Sequence, residues 1–463
     1  MQATSLPNTG RIGHEGVDCM SLPRYPEYKD SGVDWLGEVP GHWEVAPLKR
    51  NFQIVGGSTP KSEQEAFWDG EIVWVTPSDL SKLSSIVISD SQRKITPEGL
   101  ASCGTTLVPS GSIVLSTRAP IGSLAIAETE LCTNQGCKSL VPFADTQSHF
   151  YGYLLSISTG ELNIRGKGTT FLELSGDELG AFKVSVPPIS EQQTIAAFLD
   201  RETGKIDALI AEQQRLVELL AEKRQAVISH AVTKGLNPNA PMKGSGIEWL
   251  GEVPEHWELK RLKYLGEAIT GLTYSPSDIA EDDKSGILVL RSSNVQGGVI
   301  TFDDNVYVSS AVPKELVTQV GDILICSRNG SRALIGKNAT IVESSSGLTF
   351  GAFMTVFRSR HSAYLSCVLN SPLFEFQSGA FMTSTINQLT IGVLNNFEVP
   401  LPPENERADI AAYLAIESAK FDTLTAEANR AIELLQERRS ALISAAVTGK
   451  IDVRSYFSSL ERA

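Results

Sequence analysis

Apolar positions along this chain fall into two regimes. From Lys205, and again from Lys420, nearly thirty residues run without proline or glycine. In the first run Ile206, Leu209, Ile210, Leu216, Val217, Leu219, Leu220, Val227, Ile228 and Ala231 recur at spacings of three and four, with charges on the other face. That periodicity predicts a long amphipathic helix, a rod of roughly 45 Å at 1.5 Å per residue. Each run is preceded by a Pro-Pro pair, Pro187-Pro188 and Pro402-Pro403, which suits the first turn of a helix. Ser190 and Gln193 have the spacing of a capping box, and Asn405 is a plausible cap in the second run. Elsewhere the apolar runs are short and bounded by Gly, Pro, Ser and Asp. They predict strands at 71–76, 112–118, 123–128 and 182–187, then at 287–293, 322–328, 339–343, 353–359 and 397–402, with short helices at 149–157 and 362–370.

The long runs are copies of one another. Residues 186–236 and 401–451 are identical at 25 of 51 positions without a gap. A second block, 31–49, returns as 245–263 with 13 of 19 positions identical. The chain is therefore a tandem repeat of about 215 residues, each unit an opening block, a β-rich body and a long helix. Repeats of this size are duplicated domains, not solenoid units. The predicted boundaries are a flexible leader 1–30, a first body domain 31–186, a central helix 187–242, a second body domain 243–400 and a C-terminal helix 401–463. A rod cannot bury its stripe alone, so each helix is expected to pack on the other. The positions expected to pack there or to meet partners are Leu199, Ile206, Ile210, Val217, Leu220 and Val227 in the first, and Leu414, Phe421, Leu424, Ile432, Leu435 and Leu442 in the second.

Composition narrows the class. With 41% hydrophobic and 20% charged residues, no apolar run long enough to span a membrane and no signal-peptide core at the start, the chain reads as a globular cytoplasmic protein. Its six cysteines (Cys19, Cys103, Cys132, Cys137, Cys326, Cys367) form no CxxC and are expected to be buried small side chains. The net charge of −14, with no segment basic overall, lacks the usual footprint of a nucleic-acid binder. A local cluster or a basic partner would have to supply phosphate contacts.

Catalytic motifs are absent from the sequence: no phosphate-binding GxxxxGK[ST], HExxH, GxSxG, zinc-finger spacing, (D/N)PP(Y/F) or convincing nuclease core. No catalytic or metal-ligating residue is assigned. The repeated His42 and His256 have no acid or cysteine at motif spacing, so a structural hydrogen bond is expected of them, within an aromatic clasp built from Trp35, Leu36, Val39, Pro40, Trp43 and their copies Trp249, Leu250, Val253, Pro254 and Trp257. The bodies carry loop side chains suited to base edges and phosphates: Arg118, Asn134, Gln135, Lys138, Arg165 and Lys167, then Arg291, Asn294, Arg328, Asn329, Arg332, Thr383, Ser384 and Asn387. Arg118 and Arg328 stand out, because each follows an apolar strand in a local echo, 111–118 against 321–328.

These features together resemble the DNA-specificity subunit of type I restriction-modification systems over residues 30–455, on SGVDWLGEVPGHW and SGIEWLGEVPEHW, TNQGCKSL at 133–140, GTTFLELSGDEL at 168–179, and the helix endings AVTKGL and AVTGKI. The resemblance implies an α+β fold with two β-rich target-recognition domains held apart by two long antiparallel helices. Each domain would read one half of a bipartite asymmetric DNA site, while the helix pair sets the gap and docks two methyltransferase subunits. It implies a non-catalytic chain without cofactor, with S-adenosylmethionine, ATP and magnesium on the methyltransferase and restriction/translocase partners. The rival expectation from another class is a protein-interaction scaffold built on a helical rod.

Overall fold

The structure is a computed structural model that describes residues 22–83, 85–118, 120–167, 172–247, 250–381 and 388–457. The fold is mixed helix and sheet and divides into two compact units, one of residues 1–212 with 431–463, the other of residues 213–430. Two antiparallel long helices, Ile189–Lys234 and Glu404–Val447, contribute to both. They hold 46 and 44 residues, longer than the roughly thirty read from the pattern. Both start directly after the Pro-Pro pair, where a helix start was expected, and run without a break into the periodic stretch, with Gly204 inside the first helix. The expected caps are corrected as well. Ser190, Gln193 and Asn405 lie within the helices, and the carbonyls of Pro188 and Pro403 accept the first helical N–H groups, from Gln192 at 3.0 Å and Arg407 at 2.9 Å.

In the first unit the helix start is held by a carboxylate. Glu191 Oε2 accepts from the Trp43 indole N–H at 2.9 Å and from the Tyr25 hydroxyl at 3.2 Å, while His42 Nε2 lies 2.7 Å from Oε1. Burial and the Glu191 charge hold the Tyr25 phenol well above its ordinary pKa, so it stays a donor. The second unit repeats this: Glu406 Oε2 meets Trp257 Nε1 at 3.1 Å and His256 Nε2 at 2.8 Å. A carboxylate in the first turn also faces the positive end of the helix dipole. Residues 22–30, expected in the flexible leader, are part of this frame: Tyr25 is 3% exposed, and the strand Tyr28–Asp30 pairs with Glu38–Pro40 as Met242–Gly244 pairs with Glu252–Pro254.

The far ends of the helices return to the same indoles. The second helix ends at Gly449 (φ +73°), where a Cβ would stand 2.3 Å from Pro40 and 3.1 Å from Trp43. The first ends at Gly235 (φ +76°), 3.1 Å from Trp257 by the same measure. Each unit thus packs the start of one helix beside the end of the other. The ion pairs obey the same exchange: Arg439 donates to Asp207 in the first unit, Arg224 to Asp422 in the second, and these are equivalent repeat positions. Of the expected packing residues, Leu199, Ile206, Leu220, Leu414, Phe421 and Leu442 are buried. Ile210, Val217, Val227, Ile432 and Leu435 are half-buried, and Leu424 is 46% exposed.

Both bodies share one skeleton. In the first, the sheet runs Phe52–Gly56, Cys137–Pro142, Ile113–Ser116, Leu124–Ala127, Val87–Ile88. In the second it runs Glu267–Thr270, Met354–Arg358, Ile323–Cys326, Asn338–Thr340. The helices Ser148–Ile157 and Ser362–Leu369 cover the sheets, and Tyr364 Oη donates to Pro400 O at 2.8 Å. Cys132, Cys137 and Cys326 are buried as expected, while Cys103 and Cys367 are partly exposed and Cys19 lies outside the described residues.

Two outcomes follow. Replacing Glu191 by Ala leaves the indole N–H of Trp43, a fully buried side chain, without its acceptor, and costs about 1–3 kcal/mol of stability in denaturant titration; Glu406→Ala does the same in its unit. The second concerns pH. The hydrogen bond to Asp200 raises the His149 pKa above its ordinary 6.5. Burial raises the Asp200 carboxyl, but bonds from His149 and Tyr153 outweigh it and hold the group low. A raised imidazole stabilises the fold below its unfolded pKa, and the contribution is lost as pH rises through the folded value. Thermal melts from about pH 6 to about pH 8 should therefore show a stability loss in the native chain that His149→Gln lacks.

Candidate functional site

In each unit three chain segments converge where the strands of the body end. In the first they are Thr76–Ser78 after the strand Trp68–Val75, Thr117 and Arg118 after Ile113–Ser116, and the turn 134–136. Main-chain bonds lock them: Thr117 N donates to Gly136 O (2.8 Å), Asn134 N to Val75 O (3.0 Å) and Leu174 N to Thr117 O (2.9 Å). The second unit has the same wiring around Arg291–Ser293, Ser327 with Arg328, and the turn 351–353. Ser327 N donates to Phe353 O (3.0 Å), Gly351 N to Leu290 O (3.0 Å) and Leu389 N to Ser327 O (2.7 Å). The main chain at Arg118 forms an isolated antiparallel bridge with that at Glu173, and the main chain at Arg328 does so with Gln388, at matching places. Gly57 and Gly271 let a fourth segment pass: a Cβ would stand 2.1 Å from Asn134 O at Gly57 and 2.3 Å from Gly351 O at Gly271.

The side chains on this common wiring differ. In the first unit Arg118, Asn134 and Gln135 come together, with Lys138 on the adjoining strand. Gln135 is exposed and accepts from the Thr59 hydroxyl, a partner not singled out from the sequence. Asn134 spends its side-chain oxygen on Gly136 N at 2.9 Å. Two cations are already neutralised: Arg118 Nε lies 3.2 Å from Glu173, and Lys167 Nζ lies 2.6 Å from Glu178. Arg165 stands elsewhere, over the Phe182 ring that stacks on Trp35.

In the second unit Arg291, Arg328 and Asn329 meet, and Arg332 is exposed in the next turn. Asn294 is corrected from surface reader to structural residue. It is fully buried, its oxygen accepts from Arg291 N, and its amide donates to Thr301 O and Asp304 O. Asn329 is similarly engaged with Ser331 N and the Ser292 hydroxyl. Arg291 pairs with Asp304 at 2.7 Å. Thr383, Ser384, Asn387 and Trp249 lie outside the described residues. Tyr274 and Phe353 line the same cleft beside Arg291, and the sequence reading passed over both. The signal for Phe353 was its place: it falls in the turn that matches 134–136, one residue before the strand.

The clusters offer cations, amides, hydroxyls and, in the second unit, the aromatic rings of Tyr274 and Phe353, side-chain types that donate to or pack against base edges. Among the described residues no group of three or more His, Cys, Asp or Glu is placed to hold a metal ion. The profile of the type I restriction modification DNA specificity domain matches residues 40–219 and 254–434, once in each repeat. This chain belongs to that family. Among similar type I specificity subunits, that of the MjaIX enzyme of Methanocaldococcus jannaschii is 32% identical over 242 residues, covering 51% of this chain and 54% of the relative. The aligned stretch thus spans about half of that relative's length. The EcoKI specificity subunit of Escherichia coli strain K12 is 22% identical over 442 residues, 90% of each chain. A solved chain from work on complex assembly and conformational transition of the type I R-M system shares the fold, with TM-score 0.69 at 18% identity over 88% of this chain and 98% of that one.

The close approach at the two glycines makes a prediction about this specificity-family skeleton. Gly57→Ala or Gly271→Ala drives a methyl into a backbone carbonyl and should cost about 1–3 kcal/mol, read as a lowered midpoint in chemical denaturation.

Proposed function

We propose that this chain is the sequence-reading subunit of a type I restriction-modification complex. Each loop cluster reads one half of a bipartite, asymmetric site in double-stranded DNA. What supports this reading is the pairing of one backbone wiring with two unlike sets of side chains, in a chain whose two repeats each match the DNA-specificity profile. The long helices set the gap between the half-sites and dock two methyltransferase subunits. On the first helix Leu209, Leu216 and Leu219 are 40–45% exposed, and on the second Leu424 and Leu434 are 46–48% exposed, apolar side chains that a docked partner would cover. The chain itself is non-catalytic and holds no cofactor. S-adenosylmethionine, ATP and magnesium act on the methyltransferase and restriction/translocase partners.

With its carboxylate-paired cations this chain contributes few phosphate contacts, so a share of them comes from the partners. The full complex should lose affinity for its site steeply with salt, by about 10³–10⁵ between 50 and 200 mM if six to ten phosphates are contacted. A complex whose binding ignores salt and sequence would refute the reading. Four residues inserted into one long helix should lengthen the methylated site's gap and leave both half-sites unchanged, as mapped by methylation across a genome. An inserted variant that kept the original spacing would remove the helices from that role.

A further inference from the structure

Within the reading just proposed, the second unit's loop cluster carries a feature its counterpart lacks. Phe353 is 58% exposed just before the strand Met354–Arg358, a position that leaves a large apolar surface in water. The Arg328 guanidinium lies 5.2 Å from its ring centroid, and Arg328 N donates to Phe353 O at 3.0 Å. Backbone and side chain together therefore hold the cation against the ring. Tyr274, Arg291, Ser292 and Ser293 line the cleft beside it.

The matching position in the first unit is Gly136, because the carbonyls of Gly136 and Phe353 accept from the equivalent Thr117 and Ser327 N–H groups. No side chain fits there: a Cβ would stand 2.9 Å from Pro77 Cγ. The electrostatics differ as well. The Arg118 guanidinium is paired with the carboxylate of Glu173, whereas the residue at the matching backbone bridge in the second unit is the neutral Gln388.

We propose that Phe353 and Arg328 act as one specificity-determining unit in the half-site read by residues 213–430. Phe353 packs on the 5-methyl edge of a thymine in the major groove, and its ring presents Arg328 to O6 and N7 of a guanine in the adjoining pair. A thymine methyl is recognised by apolar contact and a guanine edge by a bidentate arginine, so one stacked pair covers two neighbouring bases. A guanidinium already resting on a ring loses less freedom on binding than an unsupported one.

The test uses the full complex with its methyltransferase subunits and duplexes carrying the mapped site or single substitutions in it. Phe353→Ala should lower discrimination about tenfold at one thymine and its neighbour in one half-site, leaving the other half-site and the salt slope unchanged. Deoxyuridine at that thymine should weaken the native complex equally and add nothing to Phe353→Ala. Phe353→Leu, which keeps an apolar side chain and controls for folding, should retain most of the preference for thymine. Arg328→Lys keeps the charge and should relax the adjoining guanine only. The proposal is overturned if Phe353→Ala discriminates as the native chain does at every position, or loses equally in both half-sites. It is also overturned if Arg328→Lys changes only affinity common to all sequences. A native complex with no sequence preference would instead sink the specificity reading itself.

Discussion

The whole arrangement rests on a carboxylate in the first turn of each long helix. Glu191 and Glu406 accept from a buried indole and sit against an imidazole, so the helix start is tied to the opening block of the same repeat. The indole then serves a second purpose, because the glycine that ends the other helix lies against it: Gly449 on Trp43, Gly235 on Trp257. One aromatic ring joins the beginning of one rod to the end of its copy. Neither unit can complete its core with its own repeat alone. Ala446 and Val447 are buried in the first unit, Ala231 and Val232 in the second. Duplication and antiparallel return are thus a single structural requirement, met twice by the same residue types.

Much of the positive charge at the loop clusters and between the helices is paired with carboxylates. Arg118, Lys167 and Arg291 each have a carboxylate within 3.2 Å, and both helix-to-helix arginines are paired with aspartates. Pairs this exposed contribute little to stability. Their larger effect is to remove free positive charge from a chain of net charge −14, which lowers its attraction to arbitrary DNA.

The frame was legible in the sequence because it is written twice. The repeat spacing revealed the helices and the Trp-His block, the strands followed from short apolar runs between turn residues, and the structural role of His42 and His256 followed from their lack of catalytic neighbours. Features that depend on one copy were harder to read. The helices outran their periodic stretch because Gly204 faces open space and costs only propensity. The caps were misplaced because Pro188 and Pro403 carbonyls begin the helices without a side-chain cap. Within the loops, residue type alone could not separate Asn294, which is consumed by its own backbone neighbourhood, from Gln135, which is exposed. Phe353 was hidden because an aromatic beside a strand reads as core until its burial is known.

The converging segments of each loop cluster are joined to one another by main-chain bonds, and this explains how two bodies with little sequence in common keep one shape. A wiring of N–H and C=O groups asks nothing of the side chains except where backbones come too close, and there both units use glycine, at 57 and 271. Other positions at the convergence differ between the units: Thr76 against Arg291, Pro77 against Ser292, and Gly136, pressed against Pro77, against Phe353. Chemistry at the tip thus differs between two bodies of one fold, while the Trp–Glu clasp at the base recurs in both because each buried indole needs an acceptor for its N–H. Two unlike recognition surfaces in one duplicated chain are the physical consequence of placing specificity on side chains and geometry on the backbone.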